Sequence, residues 1–195
     1  YQASVIPETP TELSAEEVGQ DILRFLNQAT FGATPQQYQQ LRAQIDSDGD
    51  NRLVVYQQWI DQQIGTPQTS LLALTDATLE KFGNDDISVT RDRDEPGENI
   101  RSDSFWPIAL YGRDQLRQRV AFALSQILVI SDVGLGDDSR AEPIANYYDI
   151  LGAGAFGNFR TLLEQVTLSP MMGEYLSSLR NAKATYDTAG NAITT

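Results

Sequence analysis

The chain has 195 residues, of which 27 are acidic and 14 are basic, so its formal net charge is −13 at pH 7. Such a chain is a poor partner for nucleic acid or an anionic membrane surface, because both are bound through Lys and Arg side chains. It has no cysteine and no histidine, which excludes disulfides, zinc fingers and any catalytic imidazole or thiol within these residues.

Local signals at the beginning of the chain predict where its first helices start. Residues 1–13 are predicted to form an extended lead-in. Ser14 with Glu17, and Thr34 with Gln37, have the spacing of a capping box, in which two side chains satisfy backbone groups at a helix start. Apolar residues at helical spacing follow each box, so we expect a helix after each.

Apolar periodicity predicts six further helices. They are expected at about 53–64, 69–82, 114–130, 143–151, 158–166 and 169–179. The segment 114–130 is the most apolar, so we expect it to lie innermost in the core. No stretch is long and apolar enough to span a membrane.

The remaining residues are predicted to lack helices. Residues 84–104 carry seven acidic side chains and are expected to form one long loop, and 182–195 are expected to be an exposed tail. No strand or hairpin pattern is evident. The predicted fold class is therefore all-α, an irregular multi-helix bundle with one long acidic loop, in which residues 14–181 form the helical domain.

The best candidate for a chemical site lies between the second and third predicted helices. Calcium prefers several oxygen ligands, which alternating aspartates in a tight loop can supply. With Asp46 as the first loop position, Asp48 and Asp50 are third and fifth, the Arg52 carbonyl is seventh and Gln57 is twelfth. Gln57 departs from the EF-hand pattern, which has a bidentate Glu there. The hypothesis is a weak structural calcium site, and the alternative is a solvated turn.

A second cluster of charged residues surrounds the most apolar segment. Arg117 and Arg119 lie at its start, where a partly buried arginine needs carboxylate partners. Asp114, Asp149 and Glu164 are the candidate partners. The pattern favours a structural salt-bridge network, and an anion site is the alternative.

Glycines at 152, 154 and 157 have the spacing of a dinucleotide-binding motif. That interpretation requires a preceding strand, whereas the preceding segment is predicted to be helical. These glycines are therefore interpreted as residues that end helices.

Four stretches of the sequence together resemble one bacterial family. They are RFLNQATFGAT at 24–34, LRQRVAFALSQI at 116–127, YYD at 147–149 with AFGNFR at 155–160, and VTLSPMMG at 166–173. In this order they resemble the N-terminal part of the bacterial domain of unknown function 1800 family. Members of that family are typically longer, mainly helical and often exported, and their genes neighbour another family that resembles sulfatases and phosphatases.

The resemblance implies a secreted, cell-surface or periplasmic protein. It also implies a partner, either another polypeptide that completes the family domain or another component of an assembly. We therefore expect a non-enzymatic helical component of an extracellular or cell-surface assembly, stabilised by calcium. The alternative is part of a hydrolase of an extracellular polymer, with its catalytic groups mostly outside this chain.

Overall fold

A computed structural model describes residues 13–49, 51–82, 100–131 and 141–178, with two short strands beyond them. These residues form nine helices and one antiparallel pair of two-residue strands, which confirms the predicted all-α class. The helices are α1 (Ala15–Ala29), α2 (Pro35–Ser47), α3 (Arg52–Gly65), α4 (Leu71–Phe82), α5 (Ile100–Tyr111), α6 (Gln115–Ser125), α7 (Ala141–Gly154), α8 (Phe159–Thr167) and α9 (Pro170–Tyr175), and the strands are β1 (Thr185–Tyr186) and β2 (Ala192–Ile193).

Both predicted capping boxes are present. The Ser14 amide donates to the Glu17 carboxylate at 2.8 Å, and the Glu17 amide donates to the Ser14 hydroxyl at 3.3 Å. Hydrogen bonds from the backbone and side chain of Ser14 lower the pKa of Glu17. The equivalent contacts join Thr34 and Gln37 at 3.1 and 3.2 Å. The starts of α1 and α2 are thus determined by residues close in sequence.

The chain divides into two compact units, residues 1–66 and 67–195. In the first unit α2 packs against both α1 and α3. Its core contains buried side chains from all three helices, namely Val18, Ile22, Leu26, Leu41, Ile45, Val55 and Tyr56.

In the second unit α7 is the central helix. It contacts α4, α5, α6, α8 and α9. Tyr147 and Leu151 are fully buried, and the Tyr147 hydroxyl donates to the Leu128 carbonyl at 2.8 Å. The core around them contains Ala121, Ile144, Leu162, Val166 and Met171.

The prediction that segment 114–130 lies innermost is wrong. Helix α6 ends at Ser125, and Ile127, within the predicted helix, is 73% exposed. Leu124, Leu128 and Ile130 pack against the α7 core but are only partly buried. The apolar content of a helix predicts that one of its faces is buried. Which helix is central, however, depends on how all the helices pack together.

Helix α5 and the two strands were not predicted. Helix α5 includes residues 100–104, which were expected to belong to the acidic loop, and it has Pro107 in its interior. An interior proline is an unfavourable helix signal, and packing of Ile108 against α4 and α7 offsets it here. In the predicted tail, Thr185 pairs with Ile193 and Tyr186 with Ala192, and such short strands show no alternation. The lead-in 1–12 and loop residues 83–99 lie outside the described residues.

Candidate functional site

The residues of the predicted calcium loop lie at the junction of α2 and α3. Asp46 is in the last turn of α2, where its carboxylate forms an ion pair with Arg42 at 2.9 Å. Asp48 is the exposed C-terminal cap of α2, and Gly49 after it has a left-handed φ of 65°. Asp50 lies outside the described residues.

The other two predicted ligands belong to α3. The Nε of Arg52 lies 3.3 Å from Oδ2 of Asp21, and the Gln57 amide donates to the Asp61 carboxylate at 3.0 Å. Within the described residues, no three acidic side chains lie close enough together to hold a metal ion. Because Asp50 lies outside the described residues, the calcium site stays a prediction.

Calcium titration tests that prediction directly. Calorimetry on chelator-treated protein is expected to show weak binding, which Asp48→Ala weakens further because it removes a charged oxygen ligand. Asp76→Ala, an exposed aspartate of α4, is the matched control and should leave binding unchanged. Absence of binding at millimolar calcium would remove the hypothesis.

The first unit has a small cleft between α1 and the start of α3. Its volume is about 190 Å³, and its lining residues are Asp21, Arg24, Phe25, Gln28, Arg52, Leu53 and Tyr56. The four α1 residues recur at intervals of three and four, so they share one helix face. Phe25 stacks on Tyr56 with ring centroids 4.2 Å apart, which makes one wall of the cleft aromatic.

Asp21 organises the polar side of this cleft. Its carboxylate accepts a hydrogen bond from the Tyr56 hydroxyl at 3.1 Å and pairs with both Arg24 and Arg52. Burial and the nearby Asp21 charge raise the pKa of Tyr56 well above its usual range. The hydroxyl therefore stays protonated and acts as a donor to Asp21. Residue spacing alone did not predict this cluster, because Asp21 and Tyr56 are brought together by packing of the first unit.

Asp149 of α7 binds the beginning of α4. Its carboxylate accepts hydrogen bonds from the Leu71 amide at 2.7 Å, the Leu72 amide at 3.1 Å and the Ser70 hydroxyl at 2.6 Å. The Ser70 hydroxyl in turn accepts from the Ala73 amide at 3.0 Å. The first amides of α4, which have no partner within the helix, are thus satisfied by Ser70 and by a carboxylate of another helix.

A second carboxylate, that of Asp114, holds the segment just before α4. Asp114 is fully buried, and its carboxylate accepts from the Thr69 backbone amide at 2.9 Å, the Thr69 hydroxyl at 2.6 Å and the side-chain amide of Gln118 at 2.9 Å. The sequence suggested Asp114 and Asp149 as arginine partners, but neutral donors occupy both. The two carboxylates therefore have a structural role: Asp149 of α7 fixes the start of α4, and Asp114 fixes the segment that precedes it.

The glycines of α7 are explained by close packing. A Cβ at Gly152 would lie 2.6 Å from the Gln68 amide nitrogen, and one at Gly154 would lie 2.6 Å from Leu162. The Gly152 carbonyl also accepts from Arg117 at 3.1 Å. The segment before these glycines is helical, as predicted, and α7 ends at Gly154. Gly152 instead lies inside α7, and Gly157 lies in the turn after it.

The outer face of α5 exposes large apolar side chains. Trp106 is 59% exposed, Leu110 55% and Tyr111 82%. At 100° per residue they lie within one arc of the helix, together with exposed Pro107. The opposite arc carries buried Ile108 and Ala109. The second half of α5 therefore carries apolar side chains on both arcs. One arc lies in the core, and the other is exposed to solvent.

These features define the protein as an all-α protein with two helical units, a small cleft with charged and aromatic lining in the first and an exposed apolar helix face in the second. The family model of DUF1800, described as a protein of unknown function, matches residues 24–188. This match covers most of the chain, which therefore belongs to the DUF1800 family. No curated protein matches significantly, and neither does any solved structure. Among the described residues, no helix is long and apolar enough to cross a membrane.

Proposed function

We propose that this chain is a non-enzymatic helical component of an exported assembly, and that the outer face of α5 binds another polypeptide. The observation that carries this proposal is the exposure of Trp106, Leu110 and Tyr111 on one side of a helix whose other side is in the core. Contiguous apolar surface on a folded protein marks sites of interaction.

The residue types on this face suit a protein partner. Tryptophan and tyrosine are enriched among the side chains that contribute most to protein–protein affinity, because they bury a large area and lose little conformational entropy. A rigid helix presents them in a fixed order, with Trp106 and Leu110 separated by one helical turn. The complementary surface is therefore an apolar groove or helix face on the partner polypeptide.

The polar groups of the second unit support a structural role. Asp114 and Asp149 are occupied by backbone, hydroxyl and amide donors that position α4. Carboxylates held in this way stabilise the backbone around α4, because they satisfy donors that would otherwise have no partner. The 195 residues also contain no histidine or cysteine to serve as base or nucleophile.

The secreted, cell-surface or periplasmic location is part of the same proposal. It is supported by the family resemblance and is compatible with the absence of cysteine. A calcium ion at the α2–α3 junction would stabilise the first unit in such a compartment.

Native mass spectrometry of the protein isolated from the cell envelope tests the proposal. The mass is expected to correspond to this protein with a companion polypeptide at fixed stoichiometry. Trp106→Glu combined with Leu110→Glu should weaken the complex by at least about 2 kcal/mol, or about thirtyfold in Kd. Leu168→Glu is the matched control, since Leu168 is also exposed in the second unit. A protein found alone, or a complex that both variants affect equally, would contradict the proposal.

A further inference from the structure

We infer that the cleft of the first unit binds the carboxylate group of a small organic acid, with Arg24 and Arg52 as the groups that recognise it. The cleft lies between α1 and α3 and is lined by two arginines and one aspartate, so its formal charge is +1. The whole chain carries −13. A locally positive cleft in so acidic a protein concentrates anions at one place.

The two arginines are held in position by a shared partner. The carboxylate of Asp21, only 14% exposed, contacts Nη2 of Arg24 and lies 3.3 Å from Nε of Arg52. A guanidinium has several N–H donors in a planar fork, and each arginine directs only one nitrogen at Asp21 in these contacts. The remaining donors can bind a second carboxylate in the two-point geometry that arginine favours.

Charge and volume restrict the ligand. With two arginines and Asp21 in the lining, the net charge is +1, so a monoanion neutralises the cleft, whereas a dianion would leave an excess negative charge beside Asp21. A volume of about 190 Å³ is smaller than a typical drug-sized site. The ligand is therefore a small monocarboxylate, or a single acidic end group of a larger molecule.

The walls of the cleft determine what the carboxylate is attached to. Phe25 and Tyr56 line the cleft and are stacked on each other. Trp59 is not part of the lining but packs edge-on against Phe25, with centroids 5.2 Å apart. Leu53 adds an exposed aliphatic side chain to the lining. Beside the arginines this surface is apolar, so it suits an acid with an apolar body better than a fully hydroxylated one.

Benzoate and benzamide are the probes that test this inference, because they share an apolar ring and differ in charge. At constant ionic strength, calorimetric titration of the intact protein is expected to show benzoate binding that saturates within tens of millimolar, and much weaker benzamide binding. Arg52→Gln is expected to weaken benzoate binding about tenfold, since it removes a charge-assisted contact on a side chain that is only 22% exposed. Arg24→Gln should have a smaller effect, because that side chain is 72% exposed.

Two controls keep the test decisive. Arg42→Gln removes an arginine of the same unit that pairs with Asp46 and does not line the cleft, so benzoate binding should be unchanged. Arg52→Lys keeps the charge but loses the planar fork, so its affinity should fall between those of the wild type and Arg52→Gln. Circular dichroism checks that each variant is folded. Equal binding of benzoate and benzamide, no benzoate binding, or an equal loss with Arg42→Gln would overturn the inference.

Discussion

Replacing Asp149 by alanine is expected to lower the free energy of unfolding by about 3–5 kcal/mol. The carboxylate accepts hydrogen bonds from the Leu71 and Leu72 amides and the Ser70 hydroxyl, all at 3.1 Å or less. Removing it leaves these part-buried donors unsatisfied, and it removes a negative charge beside the positive end of α4. Urea-induced unfolding followed by circular dichroism measures the change.

Asparagine at position 149 separates the contribution of the negative charge to stability from that of the side-chain shape. Asp149→Asn keeps the size and one carbonyl acceptor, so we expect a smaller loss of about 1–3 kcal/mol. Asp61→Ala, which removes an exposed aspartate of α3, should change the unfolding free energy by less than about 0.5 kcal/mol. If Asp149→Ala behaved like Asp61→Ala, the described capping of α4 by α7 would be wrong.

Tyr147→Ala is the second large expected effect, with a loss of about 3–5 kcal/mol. Tyr147 is fully buried at the centre of the second unit, so truncating it to alanine creates a cavity among Ile144, Leu151 and Leu162. Tyr147→Phe keeps the ring and loses only the hydrogen bond to the Leu128 carbonyl, so about 1–2 kcal/mol is expected.

Tyr111→Ala is the matched control, because Tyr111 is 82% exposed and its truncation should not alter stability. Thermal unfolding of Tyr147→Ala, Tyr147→Phe and Tyr111→Ala gives the order of their stabilities. If Tyr147→Ala were as stable as Tyr111→Ala, α7 would not be the central helix.

The alkaline pH dependence provides an independent check on Tyr147. Burial, with a smaller contribution from Tyr148, raises the pKa of Tyr147 to about 12, whereas an unfolded tyrosine ionises near pH 10. The neutral form therefore stabilises the fold fully below about pH 10, and this contribution is lost as pH rises from 10 towards 12. The Tyr147→Phe variant should show a shallower fall in stability over that range.

Helix starts were predictable because they depend on neighbouring residues. The boxes at Ser14 and Thr34, and the cap at Asn158, each use contacts within three residues. By contrast, Asp149 meets the beginning of α4 from nearly 80 positions away in sequence. No local pattern could show that its partners are Leu71 and Leu72, and so the sequence suggested arginine as its partner.

The two candidate sites differ in how far the sequence reveals them. The residues of α1 that line the cleft have a visible helical spacing, but Arg52 was assigned to a calcium loop because it follows a run of aspartates. The exposed face of α5 was missed because the acidic stretch 84–104 was expected to form a loop, and no helix was predicted for the residues that follow it. The apolar segment itself is visible in the sequence. Which of its sides is exposed to solvent follows only from the packing of α4, α6 and α7 against α5.

The fluorescence of Trp106 tests the proposed binding face most directly. The chain has two tryptophans, so in a Trp59→Phe variant Trp106 is its remaining indole, and the same assembly carrying Trp59→Phe with Trp106→Phe gives the emission of the partner to be subtracted. In the isolated chain we expect emission close to that of indole in water and strong quenching by acrylamide; in the assembly isolated from the cell envelope we expect a blue shift and protection from quenching. A Trp106 that is already shielded in the isolated chain, or that is equally quenched in the assembly, would contradict binding through the outer face of α5.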